Sequence, residues 1–145
     1  MRTLIFGARG QLGRDLVLVF SELGDACGAS RPQVDICDAD TVMTLAKEYE
    51  PDLIINAAAY TNVEGAEDAE AEAFRVNEGG ARVVAQAASA RGVPVVQYST
   101  DYVFGGTKTT PYEVGDDTAP IGVYARSKFA GEQAVRETAE KHFII

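Results

Sequence analysis

Short apolar runs alternate with longer amphipathic stretches along the whole chain. Runs of this kind, bounded by Gly, Pro and polar residues, are typical of buried β-strands. We predict strands over residues 2–6, 26–29, 53–55 and 94–98, and a further apolar strand that begins at residues 143–145.

The stretches between these runs show the three-and-four spacing of helices. Leu12, Leu16, Val19, Phe20 and Leu23 share one helical face, and Gly24 is placed to end that helix. Three further helices are predicted over Thr41–Tyr49, with Asp38 or Asp40 as its cap, over about 69–91, ended by Gly92, and over Tyr124 to about Glu140. Residues 105–122 show no periodicity and are predicted to form a long loop.

Strands that alternate with helices predict an α/β fold with a parallel sheet. We expect residues 1–145 to form one dinucleotide-binding domain, a doubly wound sheet of the Rossmann type. Because the last predicted strand is cut at its third residue, we expect the chain to stop before a C-terminal substrate-binding domain.

Composition excludes several classes of partner. The 145 residues carry a formal net charge of -9, which argues against nucleic acid, because a phosphate backbone needs basic clusters. No apolar run approaches the length that a bilayer requires, so no membrane segment is predicted. Cys27 and Cys37 fit reduced thiols in a cytoplasmic protein better than a disulfide framework.

A glycine-rich turn joins the first strand to the first helix. Gly7, Gly10 and Gly13 form a G-x-x-G-x-x-G pattern, in which the first glycine permits a sharp turn and the second permits close approach of a pyrophosphate. The third glycine lets the helix pack close to the strand, and the helix N-terminus attracts the phosphates. The predicted cofactor contacts in this turn are Gly7, Ala8, Gly10, Gln11, Leu12 and Gly13.

The end of the second predicted strand bears on the choice of cofactor. An acidic residue that would bind the ribose hydroxyls of NAD is absent there, and Ser30-Arg31 takes its place. Arg31 can meet the 2′-phosphate of NADP(H), or it can be a solvated loop residue, and the sequence leaves both open. Asp35 and Ile36 are placed to contact the adenine.

A candidate catalytic pair follows near the end of the chain. Tyr124 and Lys128 lie four residues apart and share one helical face. A nearby ammonium stabilises a phenolate, so the pair suits proton transfer, and Lys128 can also bind the nicotinamide ribose. Ser99, Thr100 and Asp101 follow the fourth predicted strand, at the edge where α/β sheets bind ligands. A hydroxyl there can polarise a substrate carbonyl, or Ser99 and Thr100 can satisfy loop backbone groups.

These motifs resemble the extended short-chain dehydrogenase/reductases, and within them the dTDP-4-dehydrorhamnose reductases. The likeness covers Met1 to Ile145 and rests on a set of short motifs. They are residues 5–13 (IFGARGQLG), 56–61 (NAAAYT), 76–77 (VN), 98–104 (YSTDYVF), 124–128 (YARSK) and 131–132 (GE). Ala125 stands where the family usually has glycine, and the acid of the second strand is absent.

The resemblance implies an NAD(P)H-dependent reductase that converts the 4-keto group of a dTDP-linked 6-deoxy-hexulose to give dTDP-L-rhamnose. It implies Tyr124 as proton donor, Lys128 as its partner, and Thr100 and Asp101 as substrate contacts. It also implies that Ala59, Tyr60, Thr61 and Tyr98 line the cofactor. A homodimer is compatible with it, and a Mg²⁺ ion of full-length members is not assignable to residues here.

Two other functions stay open at this point. One is a non-catalytic regulatory subunit similar to the beta subunit of methionine adenosyltransferase, and the other is a sugar-nucleotide epimerase or dehydratase. No metal ligand set is predicted, because the acidic residues that follow Thr61 suit a solvated helix start. We expect the isolated 145 residues to be weakly active or inactive, since closure over a substrate needs a second domain.

Overall fold

The computed structural model describes residues 1–145 and contains one sheet of five parallel strands. The strands are β1 (Arg2–Phe6), β2 (Asp25–Ala29), β3 (Leu53–Asn56), β4 (Val95–Gln97) and β5 (His142–Ile144). Their order in the sheet is β2-β1-β3-β4-β5. The predicted parallel α/β sheet is therefore confirmed, with each strand within a residue or two of its predicted bounds.

Six α-helices connect these strands. They are α1 (Gln11–Leu23), α2 (Ala39–Tyr49), α3 (Val63–Asp68), α4 (Glu70–Phe74), α5 (Ala81–Arg91) and α6 (Val123–Thr138). Arg75–Gly80 forms a π turn between α4 and α5, and Asp101–Val103 forms a 3-10 turn. Residues 105–122 contain neither helix nor strand, as predicted.

The order of the strands fixes the position of a ligand crevice. From β1 the chain crosses to β2 on one side, and from β2 it returns past β1 to β3 on the other side. Because such crossovers are right-handed, α1 lies on one face of the sheet and α2 on the opposite face with α5 and α6. The carboxyl ends of β1 and β3 therefore border the point where the winding changes direction, which is where open α/β sheets bind ligands.

The main core lies between the sheet and the face covered by α2, α5 and α6. Leu4, Phe6 and Ile54 from the strands pack there against Val42 of α2 and Val84 of α5, and all five are fully buried. The alanines of α5 let this helix approach the sheet closely. This face anchors the strand ends that carry the candidate site.

The opposite face is covered less completely. The predicted apolar stripe does lie on helix α1, yet Leu12, Val19 and Leu23 are exposed, and Gly13 is the buried residue of this helix. Phe143 of β5 is also exposed. The sequence pattern thus predicted the helix, while most of its apolar stripe is left uncovered in these 145 residues.

The helix predicted over about 69–91 is confirmed in its bounds, because α4, the π turn and α5 follow one another without a gap from Glu70 to Arg91. Helical structure begins earlier, at Val63, because the Asn62 side chain accepts a hydrogen bond from the backbone N–H of Gly65 and caps α3. A break at Ala69 separates α3, which was not predicted, from α4, and the π turn then interrupts the regular α-helical geometry. The end at Gly92 is confirmed, with this glycine in the left-handed region at φ 68°.

None of the six helices combines the length and the apolar character that crossing a membrane requires.

Candidate cofactor-binding and catalytic site

A cleft of about 770 Å³ opens at the carboxyl edge of the sheet. It runs from the loop after β1, past the ends of β2 and β3, to the start of α6. Its lining residues are Gly7, Arg9, Gly10, Gln11, Leu12, Asp15, Ser30, Arg31, Val34, Asp35, Ile36, Ala57, Ala58, Ala59, Thr61, Val76, Tyr98, Ser99, Tyr124 and Lys128. The glycine turn and the Tyr124/Lys128 pair therefore face one common space.

The glycine turn brings three backbone segments into close contact. Gly7 has φ 83°, and a Cβ atom there would lie 2.5 Å from the backbone nitrogen of Ala58. A Cβ at Gly13 would lie 2.1 Å from the carbonyl oxygen of Gly7. Glycine is thus required at both positions, one for the turn and one for the seat of α1 against it.

The N-terminus of α1 points its free backbone donors at this cleft edge. Gly10 occupies the N-cap and no side chain caps the helix. The first backbone N–H with a partner inside the helix is that of Arg14, which donates to the carbonyl of Gly10 at 3.1 Å. The N–H groups of Gln11, Leu12 and Gly13 and the helix dipole therefore form a site suited to a pyrophosphate.

Two arginines meet at the end of β2. The backbone N–H of Arg9 donates to the Ser30 hydroxyl at 2.9 Å, and the Arg9 guanidinium donates to the carbonyl of Arg31 at 3.4 Å. Arg9, Ser30 and Arg31 all line the cleft, and neither guanidinium is in a salt bridge. Sequence reasoning missed Arg9, because only the fold brings it beside Arg31.

Asp35 and Ile36 lie on the same wall, and Ile36 is buried; their contact with the adenine stays a prediction. The Asp35 carboxylate accepts a hydrogen bond from the backbone N–H of Cys37 at 3.0 Å, which lowers the pKa of this carboxyl, and it pairs with Arg75 at 3.4 Å. Burial raises the pKa of the neighbouring Cys37 thiol to about 11. This thiol is therefore protonated at neutral pH.

A single amide side chain fixes the tract that follows β3. Asn77, in the π turn, accepts a hydrogen bond from the backbone N–H of Tyr60 at 2.8 Å and donates to the Tyr60 carbonyl at 3.1 Å. It also donates to the Ser127 hydroxyl of α6 at 2.9 Å. Asn77 thereby ties the cleft wall at Ala59 and Thr61 to the helix that carries Tyr124.

Tyr124 and Lys128 lie on the opposite end of the cleft. The Lys128 ammonium donates to the carbonyl of Tyr98 at 2.6 Å, and Ser127 donates to the carbonyl of Tyr124 at 2.8 Å. The Tyr124 ring meets the ring of Tyr102 edge to face, with centroids 5.8 Å apart. Both side chains are therefore held in defined positions on the cleft wall.

Lys128 is 5% exposed, and its burial lowers the pKa of the ammonium from 10.5 to about 8, while the Glu132 carboxylate acts to raise it. The folded chain therefore releases this proton at a lower pH than the unfolded chain. Below about pH 8 the burial of the charge costs stability in full, and the cost declines between about pH 8 and 10.5.

We expect Lys128→Met to stabilise the chain by about 2 kcal/mol at pH 7, because it removes a buried charge and retains a similar shape. The gain should shrink toward zero as the pH rises through 10.5, because above that pH the native lysine is mostly neutral in both states. Urea unfolding at pH 7 and at pH 10.5 measures the difference.

The matched control is Lys47→Met, since Lys47 is exposed on α2. This change should leave the free energy of unfolding nearly unaltered at both pH values. A Lys128→Met chain that is less stable than the native chain at pH 7 would show that the ammonium is well compensated in the fold.

The structure places the proposed substrate contacts outside the lining of this cleft. The Thr100 hydroxyl caps the 3-10 turn by accepting from the backbone N–H of Tyr102 at 3.3 Å, and it lies 3.3 Å from the Asp101 carboxylate. Ser99, immediately before it, does line the cleft, and its hydroxyl donates to the carboxylate of Glu132. The roles of Thr100 and Asp101 stay predictions.

The loop after the 3-10 turn is pinned by its own side chains. The rings of Phe104 and Tyr112 stack with centroids 4.3 Å apart. Lys108 pairs with the Asp116 carboxylate, which also accepts from the backbone N–H of Glu113 at 2.8 Å. Residues 105–122 are thus irregular and yet internally organised.

The cleft brings together most of the predicted site residues. Gly7, Gly10, Gln11, Leu12, Ser30, Arg31, Asp35, Ile36, Ala59, Thr61, Tyr98, Tyr124 and Lys128 line it. Ala8 and Gly13 belong to the glycine turn but do not line the cleft, and Tyr60 packs against the core instead. Ser99, which is predicted to lie at the ligand-binding edge of the sheet, also lines the cleft, and lining residues without a prediction are Arg9, Asp15, Val34, Ala57, Ala58 and Val76.

The acidic residues after Thr61 take part in structural contacts. Glu67 accepts from the backbone N–H of Val123 at 2.8 Å, at the start of α6. Glu70 pairs with Arg126 at 3.2 Å, and Glu72 pairs with Arg75 at 2.7 Å. These carboxylates therefore connect α3 and α4 to their neighbours.

A family model and several known proteins match this chain. The family model of the RmlD substrate binding domain matches residues 1–145. The dTDP-4-dehydrorhamnose reductase of Sinorhizobium fredii is 41% identical over 145 residues, which is 100% of this chain and 49% of that protein. The enzyme of the same name from Mycobacterium tuberculosis is 45% identical over 139 residues, 92% of this chain and 45% of that protein.

A solved structure shows the same likeness in three dimensions. The crystal structure of dTDP-4-dehydrorhamnose reductase from Bacillus anthracis in complex with NADP superimposes with a TM-score of 0.95 at 40% identity. The alignment covers 99% of this chain and 51% of that one. The chain thus spans about half the length of the relatives that it matches. On the match over its whole length, the chain belongs to the RmlD substrate binding domain family.

Proposed function

We propose that residues 1–145 are the dinucleotide-binding domain of an NAD(P)H-dependent reductase. Its substrate would be a dTDP-linked 6-deoxy-hexulose with a 4-keto group, and its product dTDP-L-rhamnose. The observation that carries the proposal is that one cleft is lined by the glycine turn at one end and by Tyr124 and Lys128 at the other. The names of the relatives support the choice of substrate.

The cleft fits a dinucleotide by its chemistry. Gly7 leaves no room for a side chain between the turn and Ala58, and the uncapped N-terminus of α1 lies beside it. A pyrophosphate placed there would receive backbone N–H donors and the positive end of the helix dipole. The adenine would lie toward Asp35 and Ile36, and the nicotinamide end toward Tyr98 and Tyr124.

Both the cofactor and residues of this chain take part in the proposed chemical step. When bound, the reduced nicotinamide supplies the hydride that attacks the carbonyl carbon. The Tyr124 hydroxyl donates its proton to the carbonyl oxygen, so that the keto group becomes an alcohol. Lys128 stabilises the resulting phenolate with its ammonium, which the Tyr98 carbonyl holds in place at 2.6 Å.

The end of β2 favours NADP(H) over NAD(H). A 2′-phosphate is a dianion near neutral pH, and Arg9 and Arg31 both line this part of the cleft without a salt-bridge partner. Ser30 adds a hydroxyl and no carboxylate. An acidic residue here would select NADH by binding the ribose hydroxyls and repelling the phosphate.

We expect the chain to bind NADPH more tightly than NADH, as measured by calorimetric titration with each. Arg9→Ala combined with Arg31→Ala should weaken NADPH binding by about 10- to 100-fold, the equivalent of one or two charge-assisted hydrogen bonds. NADH binding by the same variant should change by less than about twofold, because NADH lacks the 2′-phosphate.

Arg14→Ala is the control, since Arg14 is exposed on α1 and does not line the cleft. It should alter neither affinity. Equal binding of both cofactors by the native chain would contradict the role of the two arginines. Binding of neither by a folded chain would contradict the proposed function itself.

A further inference from the structure

Glu132 is a buried carboxylate for which the proposed reaction has no assigned use. It lies on α6 one turn after Lys128, and its side chain is 6% exposed. Glutamate is rarely buried to this degree unless partners compensate its charge and its lost hydration. The partners of Glu132 therefore indicate what it does.

One carboxylate oxygen of Glu132 accepts the hydroxyl hydrogen of Ser99, in a short contact. The other lies 3.2 Å from the guanidinium of Arg136, whose side chain is half exposed. Ser99 lines the cleft and immediately precedes Thr100. Glu132 is thus fastened to the segment that leaves β4 at the cleft.

Lys128 is fastened to the same segment one residue earlier. Its ammonium donates to the carbonyl of Tyr98, which also accepts from the Gln97 side chain at 3.1 Å. Lys128 and Glu132, one turn apart on α6, therefore bind the first two residues after β4, Tyr98 and Ser99. This arrangement fixes the distance between the helix that carries Tyr124 and the strand end that carries Thr100.

Glu132 is also the charge that acts on Lys128. It opposes the effect of burial on the ammonium. Tyr124, one turn before Lys128, lines the same cleft, and Arg136 pairs with Glu132. The nearby carboxylates and the histidine have other partners: Glu67 bonds to Val123, Glu70 pairs with Arg126, Glu78 and Glu137 pair with Arg82, His142 bonds to Ala139, and Asp101 bonds to Thr100.

We propose that Glu132 is a positioning residue, which fixes the Tyr98–Thr100 segment through Ser99 and balances the positive charge of Lys128. Its use in catalysis rests on the proposed function, because it acts through Lys128 and Ser99 and lies outside the cleft lining. Its effect on Lys128 is a property of the chain alone and can be measured without any cofactor.

The test follows the ε-carbon signal of Lys128 by NMR during a pH titration of the lysine-labelled chain. Glu132→Gln keeps the size and a hydrogen-bonding group and removes the charge. We expect it to lower the measured pKa of Lys128 by about one unit. It should also shift the backbone amide signals of Tyr98, Ser99 and Thr100.

Two variants separate the charge from other causes. Glu137→Gln removes an exposed charge from the same helix and should leave the Lys128 titration and these amide signals unchanged. Ser99→Ala removes the contact and retains the carboxylate, so the pKa of Lys128 should move by less than about 0.3 units while the amide signals shift.

An unchanged pKa of Lys128 in folded Glu132→Gln would overturn the proposal. If this variant does not fold, Glu132→Asp supplies the test, because the shorter side chain draws the carboxylate away from Ser99 and should shift the amide signals of Tyr98, Ser99 and Thr100. Amide signals that stay at their native positions in folded Glu132→Asp would overturn the proposal equally. Failure of the proposed function would instead show as a native chain that binds neither NADPH nor NADH.

Discussion

Replacing Tyr124 by phenylalanine is expected to lower the rate of 4-keto reduction by about 10²- to 10⁴-fold, the range for loss of a positioned general acid. The change removes only the hydroxyl and retains the ring. The edge-to-face contact with Tyr102 and the hydrogen bond from Ser127 to the backbone of residue 124 should therefore persist.

The rate is measured as NADPH oxidation with the dTDP-linked 4-keto sugar, in a full-length protein that carries this domain. Cofactor affinity is measured by calorimetry on residues 1–145, and we expect less than a threefold change, because a single neutral hydroxyl contributes little to binding. Together the two results would assign the hydroxyl to the chemical step.

Tyr49→Phe is the matched control. The Tyr49 hydroxyl donates to the carbonyl of Asp25 at 2.9 Å, at the opposite end of the strands, so its loss should not alter the rate. If Tyr124→Phe retained more than about a tenth of the native rate, another group would have to supply the proton. Cofactor binding without oxidation by the native protein would favour a regulatory role.

Replacing Gly13 by alanine is the second large expected effect, and it acts on the fold of the site. The new methyl group would lie 2.1 Å from the carbonyl oxygen of Gly7 and 2.8 Å from the Cα of Ala8. Both neighbours are backbone atoms, so a side-chain rotation cannot relieve the overlap. Helix α1 would have to move away from the turn.

We expect Gly13→Ala to lower the free energy of unfolding by about 3 kcal/mol, the upper part of the range for overpacking. NADPH binding should weaken by about 100-fold, because a displaced helix N-terminus loses one or two charge-assisted hydrogen bonds to the phosphates. Urea unfolding and calorimetric titration measure the two effects.

Gly115→Ala provides the comparison, since a methyl group at this loop position would have no atom within 4 Å. It should change neither stability nor affinity. Native-like NADPH binding by Gly13→Ala would mean that the phosphates do not depend on the seat of α1, and the pyrophosphate position proposed here would be wrong.

The strands and the glycine turn could be predicted because local sequence determines them. A buried parallel strand such as Leu53–Asn56 needs a continuous apolar run, and a turn that approaches another backbone needs glycine at Gly7. The order of these elements along the chain then restricts the topology to a few right-handed arrangements. The prediction that ligands bind at the carboxyl edge of the sheet followed from that order.

Contacts between residues that lie far apart along the chain could not be predicted from the sequence. The π turn contains Asn77, whose partners Tyr60 and Ser127 are 17 and 50 positions away. The pairing of Ser99 with Glu132 joins residues 33 positions apart, and Arg9 meets Arg31 across 22 positions. No periodicity or local motif signals such contacts.

Asn77 also shapes how the cleft wall can change over evolutionary time. Its two bonds to residue 60 go to the backbone N–H and the backbone carbonyl. Every residue except proline offers the same N–H and carbonyl at position 60, so these two bonds fix the path of the wall tract without involving the side chain there. Position 77 has no such freedom, because a side chain must offer an acceptor and a donor at once. The path of the cleft wall at residue 60 thus depends on one amide side chain, that of Asn77, and on backbone groups alone at residue 60.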